Sequence, residues 1–388
     1  MTLRQSLIAM TTLAVIGDSI LIPFYPQFFA SRFGMTDPFH AGAFVAAISL
    51  VVMLSLPGWA RVSRSIDTTH LLIWTQFAAG MFAVLSSVAA SMTAFWVASL
   101  SMFACKSSYL LIYPYLMRRE PTAAHARIIA VLCVVVQVGA IFGATIGGAG
   151  MQWLGPRSTL LMIAVSDFSQ MIVCVALVRR YAIARRLLHD MAPARTTSSR
   201  REQLAALEPV LCIAALMFMF ELSADLTRPF FSSYWESIVP ASGEALAGTV
   251  FAIPAGVTLL AQQFNARTRD RSGRAWIVAN LLIGACGFAL QGQQTIAWIL
   301  IGRCLYGWAF LQVIVELDAA LFRISPREQY ATNYGIASAF QNLGVLIASL
   351  ASGALAGTYG YASAFYIAAG GWIVTAWLVW STHSKRFR

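Results

Sequence analysis

The sequence predicts an all-α integral membrane protein whose twelve transmembrane helices form two bundles of six. Three observations predict it: an apolar composition, long apolar runs between short polar breaks, and one arginine-rich segment midway along the chain. Of the 388 residues, 59% are hydrophobic and only 11% charged, against roughly 25% charged in a water-soluble domain. The mean hydropathy is +0.69. A helix that crosses a bilayer needs about 20 mostly apolar residues. Such runs fall at residues 6–30, 41–60, 70–90, 93–117, 127–150, 158–179, 207–234, 245–265, 275–291, 295–322, 331–356 and 361–382, numbered below as spans 1 to 12. The first is too long for the apolar core of a secretory leader, carries Asp18 and is followed by similar segments, so it is read as a span.

The net charge of +11 raises the question of a nucleic-acid partner, and the placement of the basic residues answers it. The N-terminal tail, the even-numbered loops and the C-terminus hold 22 lysines and arginines, while the odd-numbered loops hold Arg32 and Arg157 alone. Cytoplasmic loops carry such an excess, so both termini and the even loops are expected on the cytoplasmic side of the inner membrane. The basicity reflects topology and indicates no nucleic acid.

The connection at 181–206 is polar and reads ARTTSSRRE within it, which marks a cytoplasmic linker between a bundle at 1–180 and a bundle at 207–388. Local features recur across it. Pro23-Phe24 and Pro229-Phe230 are 206 residues apart, as are Ala41-Gly42 and Ala247-Gly248; Gly139 and Gly344 are 205 apart, as are Gly155 and Gly360. Four pairs at nearly one offset predict a parallel repeat of six spans.

Three motifs sharpen this picture. The loop after span 8 reads Asp270-Arg271-Ser272-Gly273-Arg274. The loop after span 2, GWARVSRSIDTTH, keeps Gly58, Arg61 and Arg64 but has no acid at the corresponding place. Span 5 reads GAIFGATIGG, with Gly139, Gly143, Gly147 and Gly148, and span 10 carries Arg303 and Gly307 four apart. Together these resemble the major facilitator superfamily: its D-R-x-G-R signature, the G-x-x-x-G-P-x-x-G-G pattern of its exporters with Ala144 in place of the proline, and an R-x-x-x-G motif that the family shows more often in helix 4. The resemblance implies the major facilitator fold, a monomer, gating roles for Asp270, Arg271, Gly273 and Arg274, and a central cavity lined by spans 1, 4, 7 and 10. Physically, the glycines of span 5 leave a groove in which a neighbouring helix can lie close.

Charged residues within the spans mark the candidate site. A carboxylate at mid-bilayer costs about 2.5–3.5 kcal/mol on insertion scales, so it is expected to face a polar space or a partner. Asp18, Lys106, Glu221, Asp225, Arg228 and Arg303 are the primary candidates. Asp18 is expected to pair with Lys106, and Arg228 or Arg303 with Glu221 or Asp225. Glu221, Asp225 and Arg228 follow one helical face at i, i+4 and i+7. Glu316 and Asp318 are secondary, and Asp167, on the peripheral span 6 beside Ser166, is read as a helix contact. Desolvation favours a neutral carboxyl and a nearby cation favours the ionised one, so such a pair offers a way to load and release a proton. Tyr25, Tyr109, Tyr113, Gln137, Phe231 and Gln312 are candidate substrate contacts, although glutamines inside a bundle equally serve helix packing.

These features point to a secondary transporter that exports a small amphipathic, zwitterionic or anionic organic molecule, such as a drug or a siderophore, by proton antiport. Import of a carboxylate or sugar-like nutrient is the alternative, and a non-transporting receptor or scaffold is the reading from a different class. No enzyme, cofactor or metal is expected: the five histidines lie at span ends or in loops, and the six cysteines fall singly within spans with no CxxC pair.

Overall fold

The computed structural model describes residues 3–112, 115–116, 125–185, 200–267, 273–325 and 330–382. Among them, eleven stretches are long and apolar enough to cross a bilayer. The longest, Val134–Tyr181, is broken at Gly155, where a φ of +79° that glycine alone adopts freely ends one helix and starts the next. Twelve spans result.

Their bounds follow the apolar runs to within a few residues. Single helices form Pro38–Val62, Thr68–Val88, His125–Ala149, Gly155–Tyr181, Gly243–Arg267, Arg274–Gln291, Ile296–Ile324, Tyr330–Tyr359 and Tyr361–Ser381, which are spans 2, 3, 5, 6, 8, 9, 10, 11 and 12. Span 4 runs as Met92–Lys106 and tightens into a 3-10 turn at Ser107–Leu111.

Spans 1 and 7 depart from the expected continuous helices. Span 1 stops at Ser19, passes through the 3-10 turn Ile22–Phe24 and restarts as Tyr25–Phe33. Span 7 runs Arg200–Asp225, opens into a turn and restarts as Phe231–Ile238. Pro23 and Pro229 are the cause. Proline has no N–H to give and its ring clashes with the preceding turn, so the helix ends before it. The repeated Pro-Phe dipeptide is therefore a repeated helix break.

The chain forms two compact units, residues 1–36, 50–191 and 239–252 in one, and 37–49, 192–238 and 253–388 in the other. In the first, span 3 packs on spans 4 and 6, and span 1 on spans 5 and 6. In the second, span 9 packs on spans 10 and 12, and span 7 on spans 11 and 12. Each pairing in one unit thus recurs six spans later in the other. The architecture is a pseudo-repeat of two six-helix bundles. Residues 186–199, the greater part of the expected linker, lie outside the described residues.

Glycine sets the closest approaches in each unit. A Cβ on Gly139 would stand 2.6 Å from Val15, one on Gly143 would stand 2.7 Å from the Ile16 carbonyl, and one on Gly147 would overlap the Ile20 carbonyl. Span 5 therefore seats residues 15–20 of span 1 backbone to backbone. Gly148 does the same for Glu244 at the start of span 8, and Gly248 for Ala144. In the second unit Gly353 faces Pro38 and Phe39, and Gly42 faces Ser349. Substitution of Gly147 by alanine is expected to cost about 1–3 kcal/mol through overpacking, read as a lower unfolding midpoint in detergent. Gly256→Ala, at a position with open space around it, is expected to leave that midpoint unchanged.

Candidate functional site

Three charged side chains from three helices meet inside the first unit. Lys106 Nζ lies 2.9 Å from Asp18 Oδ1 and 3.1 Å from Asp167 Oδ1. Lys106 and Asp167 are buried, whereas the side chain of Asp18 keeps 23% of its surface accessible. Each is placed by its helix. Asp18 sits at the end of the first piece of span 1, where the helix dipole is negative and disfavours a carboxylate, so it depends on a cation nearby. Lys106 is the last residue of the α-helical part of span 4, the end that favours a cation. Gly17 clears its path: a Cβ there would fall 3.3 Å from Lys106 Nζ and 2.6 Å from Ser166 Oγ.

The surroundings are polar. Ser166 donates to the Leu13 carbonyl at 2.7 Å, fixing span 6 against span 1 one residue before Asp167. Gln170, fully buried, donates to Asp167 Oδ1 at 3.4 Å. Tyr109 lies within electrostatic reach of Asp18 and is only partly buried. Tyr25, buried, is stacked on Phe29 and within electrostatic reach of Asp18. Below the lysine, Thr75 and Ser108 share a hydrogen bond of 2.6 Å and Ser55 and Ser107 one of 3.0 Å.

The second unit holds a separate cluster. Glu221 and Asp225 are one turn apart on span 7, and Glu221 lies in the field of Asp225 and of Asp318 of span 10. Arg228 reaches Asp225 Oδ1 at 3.3 Å. It does so from the turn after the helix break, so Glu221, Asp225 and Arg228 do not form one continuous helical face. Arg303, buried, lies 4.1 Å over the ring of Phe231, itself buried, a cation–π contact that joins span 10 to the second piece of span 7. Tyr306 stands among Asp225, Arg303, Glu221 and Arg228. Gln312 is engaged elsewhere, in a reciprocal pair of 3.0 Å hydrogen bonds with Asn265. Gln137 is partly buried on span 5, and Tyr113 lies outside the described residues, as do Asp270 and Arg271.

The rest of that motif ties helix ends together within the second unit. Gly273, with a φ of +105°, caps span 9 and donates to Glu316 at 3.5 Å, while Arg323 stands 3.7 Å from the same carboxylate. Arg274 donates to the carbonyls of Trp380 and Thr382 at 3.0 and 3.2 Å and lies over the Trp380 ring. In the first unit this work falls to Asp67, which sequence reasoning passed over. It is buried, caps span 3 through Thr69 N–H at 2.9 Å and Thr69 Oγ1 at 2.6 Å, and accepts from Tyr115. An Asp just before an apolar run is a helix-start signal that could have found it. Asp167 also escaped; its signal was the Ser166, Asp167, Gln170 polar face on an otherwise apolar span.

The sequence pattern of the Major Facilitator Superfamily is matched by residues 211–386. No curated protein matches the chain. Among solved structures, the human organic anion transporter MFSD10 (TETRAN) superimposes with a TM-score of 0.73 at 15% identity, over 98% of this chain and 100% of that one. The nucleoside transporter NupG gives 0.74 at 12%, over 98% and 99%, and a peptide transporter, POT, in complex with sulfate gives 0.82 at 10%, over 99% and 95%. This is the major facilitator fold. The superfamily match falls on the half that carries the fuller D-R-x-G-R copy, while the first half matches in structure.

The lysine holds the first cluster together. Removing one partner of a buried ionic group costs about 3–5 kcal/mol because the others are left uncompensated. Lys106→Met is therefore expected to lower the unfolding midpoint sharply. Arg228→Met, which takes a half-exposed partner from the buried Asp225, is expected to lower the midpoint less than Lys106→Met.

Proposed function

We propose that the chain is a proton-coupled secondary transporter, moving a small amphipathic, zwitterionic or anionic organic molecule outward across the inner membrane by alternating access. The observation that carries this is the Asp18, Lys106 and Asp167 cluster. Two carboxylates share one lysine, so with all three ionised the cluster bears one net negative charge in a region where an uncompensated charge is costly. Uptake of one proton makes it neutral. A buried group of odd charge beside a partly accessible carboxylate is built to exchange a proton with water.

The direction rests on span 5, whose glycine pattern resembles that of the superfamily's exporters. Its Gly139, Gly143 and Gly147 seat the segment of span 1 that bears Asp18, so sliding of span 1 along that smooth face would carry the acid with it. The substrate class rests on the second unit, where Arg303 on the Phe231 ring and the acids Glu221 and Asp225 all lie around Tyr306. That suits a molecule with both charged and apolar parts, and the organic anions and peptides named for the similar structures belong to the same broad class. The 22 to 2 distribution of basic residues supports cytoplasmic termini.

Inverted membrane vesicles carrying an imposed pH gradient test this reading. A panel of drugs, carboxylate siderophores and other small carboxylates is added, and dissipation of the gradient is followed by a pH-sensitive dye. At least one class is expected to dissipate the gradient with wild type and none with Asp18→Asn. Dissipation that persists undiminished in Asp18→Asn, or silence of the wild type across the whole panel, would overturn it.

A further inference from the structure

We propose that the two carboxylates on Lys106 have different jobs: Asp167 is a permanent counter-charge that positions the lysine, and Asp18 is the group that gains and loses the proton. This rests on the proton-coupled reading and assigns a part to a residue that the sequence argument had set aside.

Access is the first support. A proton exchanged with water needs a path, and the Asp18 side chain is 23% accessible while that of Asp167 is 0%. The second is the way each acid is held. Asp167 Oδ1 is held by Lys106 and by Gln170, one residue after the Ser166 contact that fixes span 6 on span 1. Asp18 lies beside a helix break, with the partly buried Tyr109 within electrostatic reach. Among the described residues, the titratable and charged groups that face Asp18 are Lys106 and Tyr109 from span 4, Asp167 from span 6 and Tyr25 from its own span. Span 5 presents glycines.

A buried ionic cluster is a poor way to hold helices together, since apolar packing of similar volume is often as stable, so the first unit's charges are there for chemistry. The step itself is simple: the Asp18 carboxylate takes one proton from the aqueous phase, the cluster passes from one net negative charge to none, and the Lys106 and Asp167 pair stays ionised throughout.

Infrared difference spectroscopy of the full chain in lipid nanodiscs, stepped in pH, tests this with the proton as the probe. The wild type is expected to show, beside the bands of the second unit's acids, one titrating carboxylic-acid carbonyl band that belongs to this cluster. Asp18→Asn abolishes it. Asp167→Asn keeps it with the midpoint displaced by about one pH unit or more, as loss of a charge at this range requires; a carboxylate that only packs would leave the midpoint in place. The double variant Lys106→Gln with Asp167→Asn, which removes the fixed pair together, is expected to fold and to keep the Asp18 band. A band that survives Asp18→Asn and disappears with Asp167→Asn would reverse the roles and overturn this assignment while leaving proton coupling intact. A wild type whose titrating bands are all unchanged in Asp18→Asn and in Asp167→Asn would overturn both.

Discussion

One lysine shared between two aspartates organises the first half of this molecule. Lys106 joins spans 1, 4 and 6 at a single point, and the other local features there serve that meeting. Gly17 leaves room for the ammonium, Ser166 fixes the distance between spans 1 and 6, and the glycines of span 5 press the first piece of span 1 into place. The helix dipoles agree with the arrangement at the lysine and oppose it at Asp18, which makes the aspartate the less settled member.

The second half solves the same packing problem with different chemistry. Where spans 7, 10 and 12 meet it packs the rings of Phe220, Phe310, Tyr306 and Trp372, and Gly284 yields space to the Trp372 ring as Gly80 does to Phe168. Its charges are found elsewhere, at the helix break and along span 10, where Arg303 sits on an aromatic ring and Asp225 is met by an arginine in the turn. The duplicated scaffold therefore keeps its contacts and varies their content. Similar backbones at 10–15% identity among solved transporters show the same tolerance on a larger scale.

Much of this was legible in the residues. The spans were, because about 20 apolar residues in a row have few other uses, and so was the pairing of Asp18 with Lys106, because charges within spans are scarce and need partners. The helix breaks were not read as such, although the Pro-Phe dipeptides that cause them were visible as a repeat. That error made Glu221, Asp225 and Arg228 look like one face of an unbroken helix. Asp167 was set aside because a peripheral span seemed to offer it only neighbours of its own; the chain path from span 6 to the lysine is a tertiary fact that spacing does not encode. Gln312 shows the same limit. Its amide could have met a substrate or another helix, and only the fold reveals Asn265 opposite, 47 residues away in sequence.

The interruption of span 1 has a mechanical consequence. Residues 20–24 lack the continuous hydrogen-bond ladder that makes a helix a rod, so the piece from Tyr25 to Phe33 is attached to the piece bearing Asp18 by a joint. Bending at that joint would break few backbone bonds, because the proline has already removed them. A small tilt of the outer segment can thus be delivered as a change in the water reaching the aspartate, with the lysine and its second acid left undisturbed behind it.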